Sequence, residues 1–253
     1  MDTVVFTNDD NASIRLLNHP YSNHLKWRDN HEVMFRRINT WLIKNGRMKG
    51  NFIDLGAWVG DNSIPWAKNI PGTVYAIDPS ADNCEFIQKT CELNGITNVS
   101  TIQTAVSWAN EILSTNDNLD HCSFVYGKLD AEGKNKVEAV SLDYLYEEKR
   151  IEKIDYIHLD VEGMEYKILF GSKRLIDECR PIISFEQHLE IDDYDEIRDL
   201  LHAKNYSVFL VNEVLPGCRP DCRNSFAFPN EQYSDDMIDQ IHAYLGQPLL
   251  IRK

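Results

Sequence analysis

The chain has 253 residues, 43% of them hydrophobic and 26% charged, which suits one large folded domain and excludes a disordered chain. Forty acidic against 26 basic residues give a formal charge of −14, which repels phosphate backbones, so no nucleic-acid partner is expected. No run approaches the roughly 18 apolar residues of a membrane span, and Met1-Asp2-Thr3 lacks the basic start of a signal peptide, so a cytoplasmic location is expected.

Residues 1 to 28 mix polarities without sustained periodicity, whereas Glu32 to Lys44 sets Val33, Ile38, Trp41 and Leu42 near helical spacing before Asn45-Gly46 stops the helix. Asn51 to Leu55 and Thr73 to Ile77 read as buried strands. Between them a glycine turn leads to a helix over Asn62 to Asn69, with Ser63 as a candidate N-cap and Pro65 in the first turn. Ser80 caps a further helix that Asn94-Gly95 ends, and Val99 to Val106 is a third strand.

Polar turn clusters at Ser114 to Asp120 and Glu132 to Asn135, around a candidate strand Ser123 to Tyr126, mark about 107 to 140 as an insertion. A short helix starts at Ser141, followed by a strand over Ile154 to Leu159 and a helix from Val161 to Phe170 after a turn at Gly163. Ile182 to Phe185 is another strand and Tyr194 to Ala203 a helix. Ser207 to Val211 and Ser225 to Phe228 are the last two strands, joined through Pro216-Gly217.

The alternation predicts an α/β, Rossmann-like domain with a seven-stranded, mostly parallel sheet and helices on both faces. Residues 1–48 form an N-terminal extension and helix packing on that core, and 49–253 the domain itself. The six cysteines read as free thiols. Cys218 and Cys222 are the only close pair. With no further ligand nearby in the sequence, they read as part of an ordinary loop, and no metal is expected there.

In Asp54-Leu-Gly-Ala-Trp-Val-Gly60, Gly56 and Gly60 let backbone amides approach a ligand at the carboxyl end of a parallel strand. The three glycines of a dinucleotide fingerprint are missing, and an acid precedes the turn. A carboxylate at Asp54 suits a ligand carrying an ammonium and a sulfonium and opposes a pyrophosphate, which favours S-adenosylmethionine over NAD. Asp78, ending the second strand, can accept from both ribose hydroxyls. Ser63 either bonds the methionine carboxylate or caps its helix. Trp58 and Asn62 in the loop and Ala105 on the third strand complete the candidate cofactor set.

Asp160-Val-Glu162-Gly163-Met-Glu165 puts further carboxylates at the same rim of the sheet. Here the chain resembles the FkbM-type methyltransferases, which carry Asp-x-Gly-Ala-Asn-x-Gly after the first strand and a later Ile-Asp-Val-Glu-Gly-x-Glu. The resemblance extends through Ala76-Ile-Asp-Pro-Ser80, Thr104-Ala-Val-Ser107, Val140-Ser-Leu-Asp143 and Ile183-Ser-Phe-Glu186. Trp58 stands where the family usually has Asn, Asp78 where Glu is common, and His158 replaces a frequent Lys. The resemblance implies a class I methyltransferase fold and methyl transfer from S-adenosylmethionine to a hydroxyl, often on a sugar or glycan.

Transfer to a neutral hydroxyl needs a proton acceptor. Asp160 leads, supported by Glu162, with His188 as the rival base. Asp160, Glu186 and His188 offer instead a divalent-cation site. A non-catalytic binding module and an NAD-dependent oxidoreductase are the competing readings of the whole chain.

Overall fold

The computed structural model describes residues 2–6, 12–28, 31–115, 135–190 and 192–253. In chain order the elements are β1 (Thr3–Phe6), β2 (Ala12–Arg15), α1 (Ser22–Trp27), α2 (Val33–Lys44), β3 (Asn51–Leu55), α3 (Ser63–Ala67), β4 (Val74–Asp78), α4 (Ala81–Asn94), β5 (Val99–Gln103), β6 (Ala105–Val106), β7 (Glu111–Thr115) and β8 (Asn135–Val140). They continue with α5 (Leu142–Glu147), β9 (Ile154–Leu159), α6 (Glu165–Phe170), α7 (Lys173–Cys179), β10 (Ile182–His188), α8 (Tyr194–Ala203), β11 (Tyr206–Val211), β12 (Cys222–Pro229), α9 (Asp235–Leu245) and β13 (Leu250–Arg252).

The main sheet runs β13-β11-β12-β10-β9-β3-β4-β5. The pairs from β10 through β9, β3 and β4 to β5 are parallel, and the pairs joining β10, β12, β11 and β13 are antiparallel. The seven expected strands are all present. An eighth, β13, lies at the edge against β11, where three short residues after a glycine-capped helix left too little pattern to read.

Side chains alternate along each strand, so one strand feeds two cores. Ile53 and Leu55 point to the core under α5, α6, α7 and α8, while Phe52 joins Phe35, Ile38, Trp41 and Leu42 of α2, Trp66 of α3 and Ile241 of α9 on the opposite face. Helices therefore cover both faces. Each of these fully buried large apolar side chains contributes about 1.5–3 kcal/mol relative to exposure.

The chain start is more ordered than its composition indicates. β1 and β2 pair antiparallel, and Val4, Phe6, Ala12 and Ile14 pack with Leu25 of α1 and with Phe86, Ile87 and Cys91 of α4. The third strand, expected to run unbroken from Val99 to Val106, breaks at Thr104. β5 stays in the main sheet, and β6 moves to a small sheet ordered β6-β8-β7. The candidate strand Ser123 to Tyr126 lies outside the described residues. No helix among those described is long and apolar enough to cross a membrane.

Candidate active site

The register of the parallel strands sets the site. Ile102, Ile77, Leu55, Leu159 and Phe185 are mutual neighbours across β5, β4, β3, β9 and β10. One residue further, at the carboxyl rim, come Asp78, Gly56, Asp160 and Glu186. One residue earlier, deeper on that same face, the row reads Ala76, Asp54, His158 and Ser184. The two rows of polar groups are one strand period apart.

At the rim, Gly56 adopts φ +74°, and a Cβ on it would lie 1.9 Å from the Asp160 carbonyl oxygen. Glycine is thus required both by conformation and by the approach of the β9 end, whose Asp160 N–H donates to Leu55 O at 3.1 Å. Trp58 is left-handed at φ +44°, a conformation unusual for a large side chain. Its backbone N–H donates to Asp78 Oδ2 at 2.9 Å, and its ring lies against that of His24, with the residue 38% exposed. Asp78 Oδ1 accepts from the Ser80 N–H and from Asn83 Nδ2. Burial raises the Asp78 carboxyl, and these donors oppose the rise. Of the roughly four acceptor positions of a carboxylate, one remains, on Oδ2.

In the deeper row, Asp54 is buried and accepts a hydrogen bond from Ser63 Oγ. Burial pushes its carboxyl up to about 7, against the Ser63 bond and with help from Asp61. Ser63 therefore does not cap its helix. Asn62 occupies the N-cap position, and the Ser63 hydroxyl is spent inward on Asp54. His158 bonds Ser184 Oγ through Nδ1 at 2.9 Å and faces Asn62 Nδ2 at 3.4 Å through Nε2. Burial lowers it to about 4, so it is neutral at physiological pH. Its ring packs between Phe35 and Trp66.

Three groups that the sequence reading passed over complete this side. Buried Arg28 pairs with Glu32 at 2.5 Å and Asp61 at 2.7 Å and donates to Asn62. Burial pushes the Glu32 carboxyl up, but Arg28, His31 and Arg36 outweigh it and hold it well below the ordinary range. Glu32 also accepts from Asn224, tying the N-terminal segment to β12. Asp61 directly follows Gly60, an available signal. Arg28, in an aperiodic stretch, had none.

Two cavities meet at the rim. A narrow slot of about 50 Å³ is lined by Ile77, Asp78, Ala105, Val106, Leu113 and Met164, among others. A larger cavity of about 710 Å³ is lined by His24, Arg28, Trp58, Asp61, Asn62 and His158, closed on one side by Pro216 and Gly217. Gly56 and Asp160 line both. Of the expected cofactor residues, Gly56, Trp58, Asn62, Asp78 and Ala105 face a cavity. Asp54, Gly60 and Ser63 lie behind the linings.

Burial raises the Asp160 carboxyl well above the usual carboxylate range, and the charges of Glu186, Glu162, Glu32 and Glu165 add to the rise. Glu162 sits at a left-handed turn beside Gly163 and lines the slot. Glu165 is internal, accepting from the Val161 N–H and from Gln187, with its carboxyl pushed by burial to about 8.

β10 runs three residues beyond its expected end, because Glu186 to His188 pair with Cys222 to Asn224 of β12. His188 thereby ends the strand. Its Nε2 lies 3.6 Å from Cys218 Sγ, and its Nδ1 3.2 Å from Asp192. The cysteine pair does have neighbours with donor atoms. Glu186 and His188 reach it across the antiparallel pairing, although neither lies nearby in the sequence. Asp160, grouped at the sequence level with Glu186 and His188 as possible ligands, is not part of this cluster.

The model of the methyltransferase FkbM domain matches residues 54–208. No curated protein matches the sequence. A methyltransferase FkbM from Methylobacillus flagellatus KT superposes with a TM-score of 0.51 at 16% identity over 83% of this chain and 56% of that one. An O-methyltransferase from Bacillus cereus in complex with SAH gives 0.52 at 13% identity, over 81% and 84%. At such identities the likeness is one of fold. The present chain spans a little over half the length of the M. flagellatus protein.

Proposed function

The chain belongs to the FkbM methyltransferase family, whose cofactor is S-adenosylmethionine, and we propose that it methylates a hydroxyl oxygen of a sugar or glycan. The observation that carries this reading is Asp160, a carboxylate lining both cavities at the rim. S-adenosylmethionine supplies an electrophilic methyl group on a sulfonium. The residues fit it in kind. Asp78 offers its free acceptor position to a ribose hydroxyl, and Ala105, Val106, Leu113 and Met164 give an apolar wall for the adenine.

The larger cavity takes the acceptor in this reading. Trp58 and His24 provide ring faces there, while Asp61 and Asn62, held by Arg28, offer fixed acceptors to hydroxyl groups. Asp160 would take the proton of the attacking hydroxyl while the cofactor would supply the methyl group, its sulfonium–methyl bond breaking as the oxygen–methyl bond forms and the neutral thioether leaving. The raised affinity of Asp160 for a proton suits that task, and Glu162 reinforces it by charge. His188 is turned toward Cys218 and Asp192, which favours Asp160 over it as base.

Tritiated S-adenosylmethionine offered with fractionated glycans and small glycosides, followed by mass spectrometry of the product, tests this. We expect an O-methyl product, and for Asp160→Asn a loss of about 10²–10⁴ in turnover with cofactor affinity retained. Label on nitrogen or carbon overturns the hydroxyl assignment. Wild-type turnover in Asp160→Asn removes that residue from proton transfer.

A further inference from the structure

We propose that Glu186, His188, Cys218 and Cys222 form a zinc site that fastens the loop between β11 and β12 to the end of β10. The four donor atoms lie within 4.8 Å of one another. Tetrahedral zinc with Zn–S near 2.3 Å and Zn–N and Zn–O near 2.1 Å has ligand-to-ligand edges of about 3.4–3.8 Å. Cys218 Sγ lies 3.6 Å from His188 Nε2 and 3.9 Å from Glu186 Oε1. Cys222 Sγ to Glu186 Oε1, at 2.9 Å, is shorter and opens by a small side-chain rotation.

The fold builds this arrangement. Glu186 and His188 are two residues apart on one strand and so share a face. Cys222 stands directly across from His188 in the antiparallel pair. Cys218 returns through the turn in which the Cys222 N–H donates to Arg219 O. Asp192, whose side chain is largely covered, accepts from the His188 backbone N–H at 2.6 Å and lies 3.2 Å from Nδ1. That contact keeps the ring proton on Nδ1 and leaves the Nε2 lone pair facing the thiols, the arrangement typical of a metal-bound histidine. Two sulfurs and an imidazole select zinc over magnesium or calcium.

Four protein ligands leave no open position, so the role is structural. Pro216 and Gly217, immediately before Cys218, form a wall of the larger cavity. The ion would hold that wall in place, a consequence that rests on the larger cavity being the acceptor side; metal binding itself does not depend on it.

The test uses the full chain purified under reducing conditions without chelator, with metal content measured by mass spectrometry and the zinc-stripped protein titrated with cobalt. We expect about one zinc per chain and, with cobalt, tetrahedral absorption with a thiolate charge-transfer band. Cys218→Ser and His188→Ala should lose the band, Cys91→Ser should keep it, and Asp192→Asn should weaken zinc binding about 10–100-fold. Background zinc with no thiolate band in the wild type overturns the proposal. So does an intact mass showing Cys218 and Cys222 joined as a disulfide under the same conditions. These readouts involve no substrate, so failure of the methyl-transfer reading leaves them unaffected.

Discussion

Gly56 and Gly60 share one backbone φ and differ in what stands beside them, which separates strain from positioning. Both have φ +74°, so alanine at either position costs about 1–2 kcal/mol in left-handed backbone. At Gly60 the added Cβ meets only side-chain carbons of Ile64 and Ile87 at 3.0 Å, and these can shift. At Gly56 it meets the Asp160 carbonyl oxygen at 1.9 Å, which is backbone. Restoring ordinary contact moves the two segments apart by about 1.5 Å and strains the bond from Asp160 N–H to Leu55 O, a further loss of about 1 kcal/mol. We expect Gly60→Ala to lose about 1–2 kcal/mol with turnover nearly intact. Gly56→Ala should lose about 2–3 kcal/mol and, because Asp160 is displaced, about 10²-fold or more in turnover. Urea unfolding gives the first quantity, and single-turnover methyl transfer at saturating cofactor, corrected for folded fraction, the second. Equal turnover losses in the two variants would refute the argument.

Asp54→Asn tests the buried carboxyl. The folded protein holds this group at about 7 against 3.8 ordinarily. Its favourable contribution is complete below pH 4 and disappears as pH rises through 7. The full span is about 4 kcal/mol, with about 3 kcal/mol of it falling between pH 5 and 8.5. Stability of Asp54→Asn relative to wild type should therefore rise by that amount between those two pH values in urea unfolding; a constant difference would show that Asp54 is ionised throughout. Arg28→Met leaves Glu32 and Asp61 buried without their cation, and a loss of about 3–5 kcal/mol in the same assay is expected. A loss below 1 kcal/mol would mean that water reaches these carboxylates.

The central strands were legible because β-branched and aromatic runs bounded by glycine turns leave few alternatives. Asn51–Leu55, Ile154–Leu159 and the helix Tyr194–Ala203 have their expected limits. The N-terminal hairpin was not legible. Four-residue strands such as Thr3–Phe6 are too short to establish a period, and what orders them is α4, some eighty residues away. The end of β10 was missed for a related reason. Glu186-Gln-His188 is polar and reads as a loop, yet its pairing with β12 makes it strand. That same pairing brings the two cysteines to Glu186 and His188, and nothing local in the sequence carries it.

The acids of the site show where a motif stops being informative. Asp54 and Asp160 both follow apolar strand residues at the ends of adjacent parallel strands, and the sequence alone gives both the same expectation of facing the ligand. The register puts Asp54 beside His158, one strand period, about 7 Å, below the row that contains Asp160. Whether that depth is solvent or core depends on what covers it. Here α2 and α3 do, bringing Phe35, Trp66 and Ser63 over the row. Asp54 thus fixes the start of α3 and with it the loop from Gly56 to Gly60. The carboxylates that line the cavities are Glu32, Asp61, Asp78, Asp160 and Glu162. Glu32, Asp61 and Asp160 bring further negative charge to the cavities, at positions set by tertiary contacts that no single stretch of sequence carries.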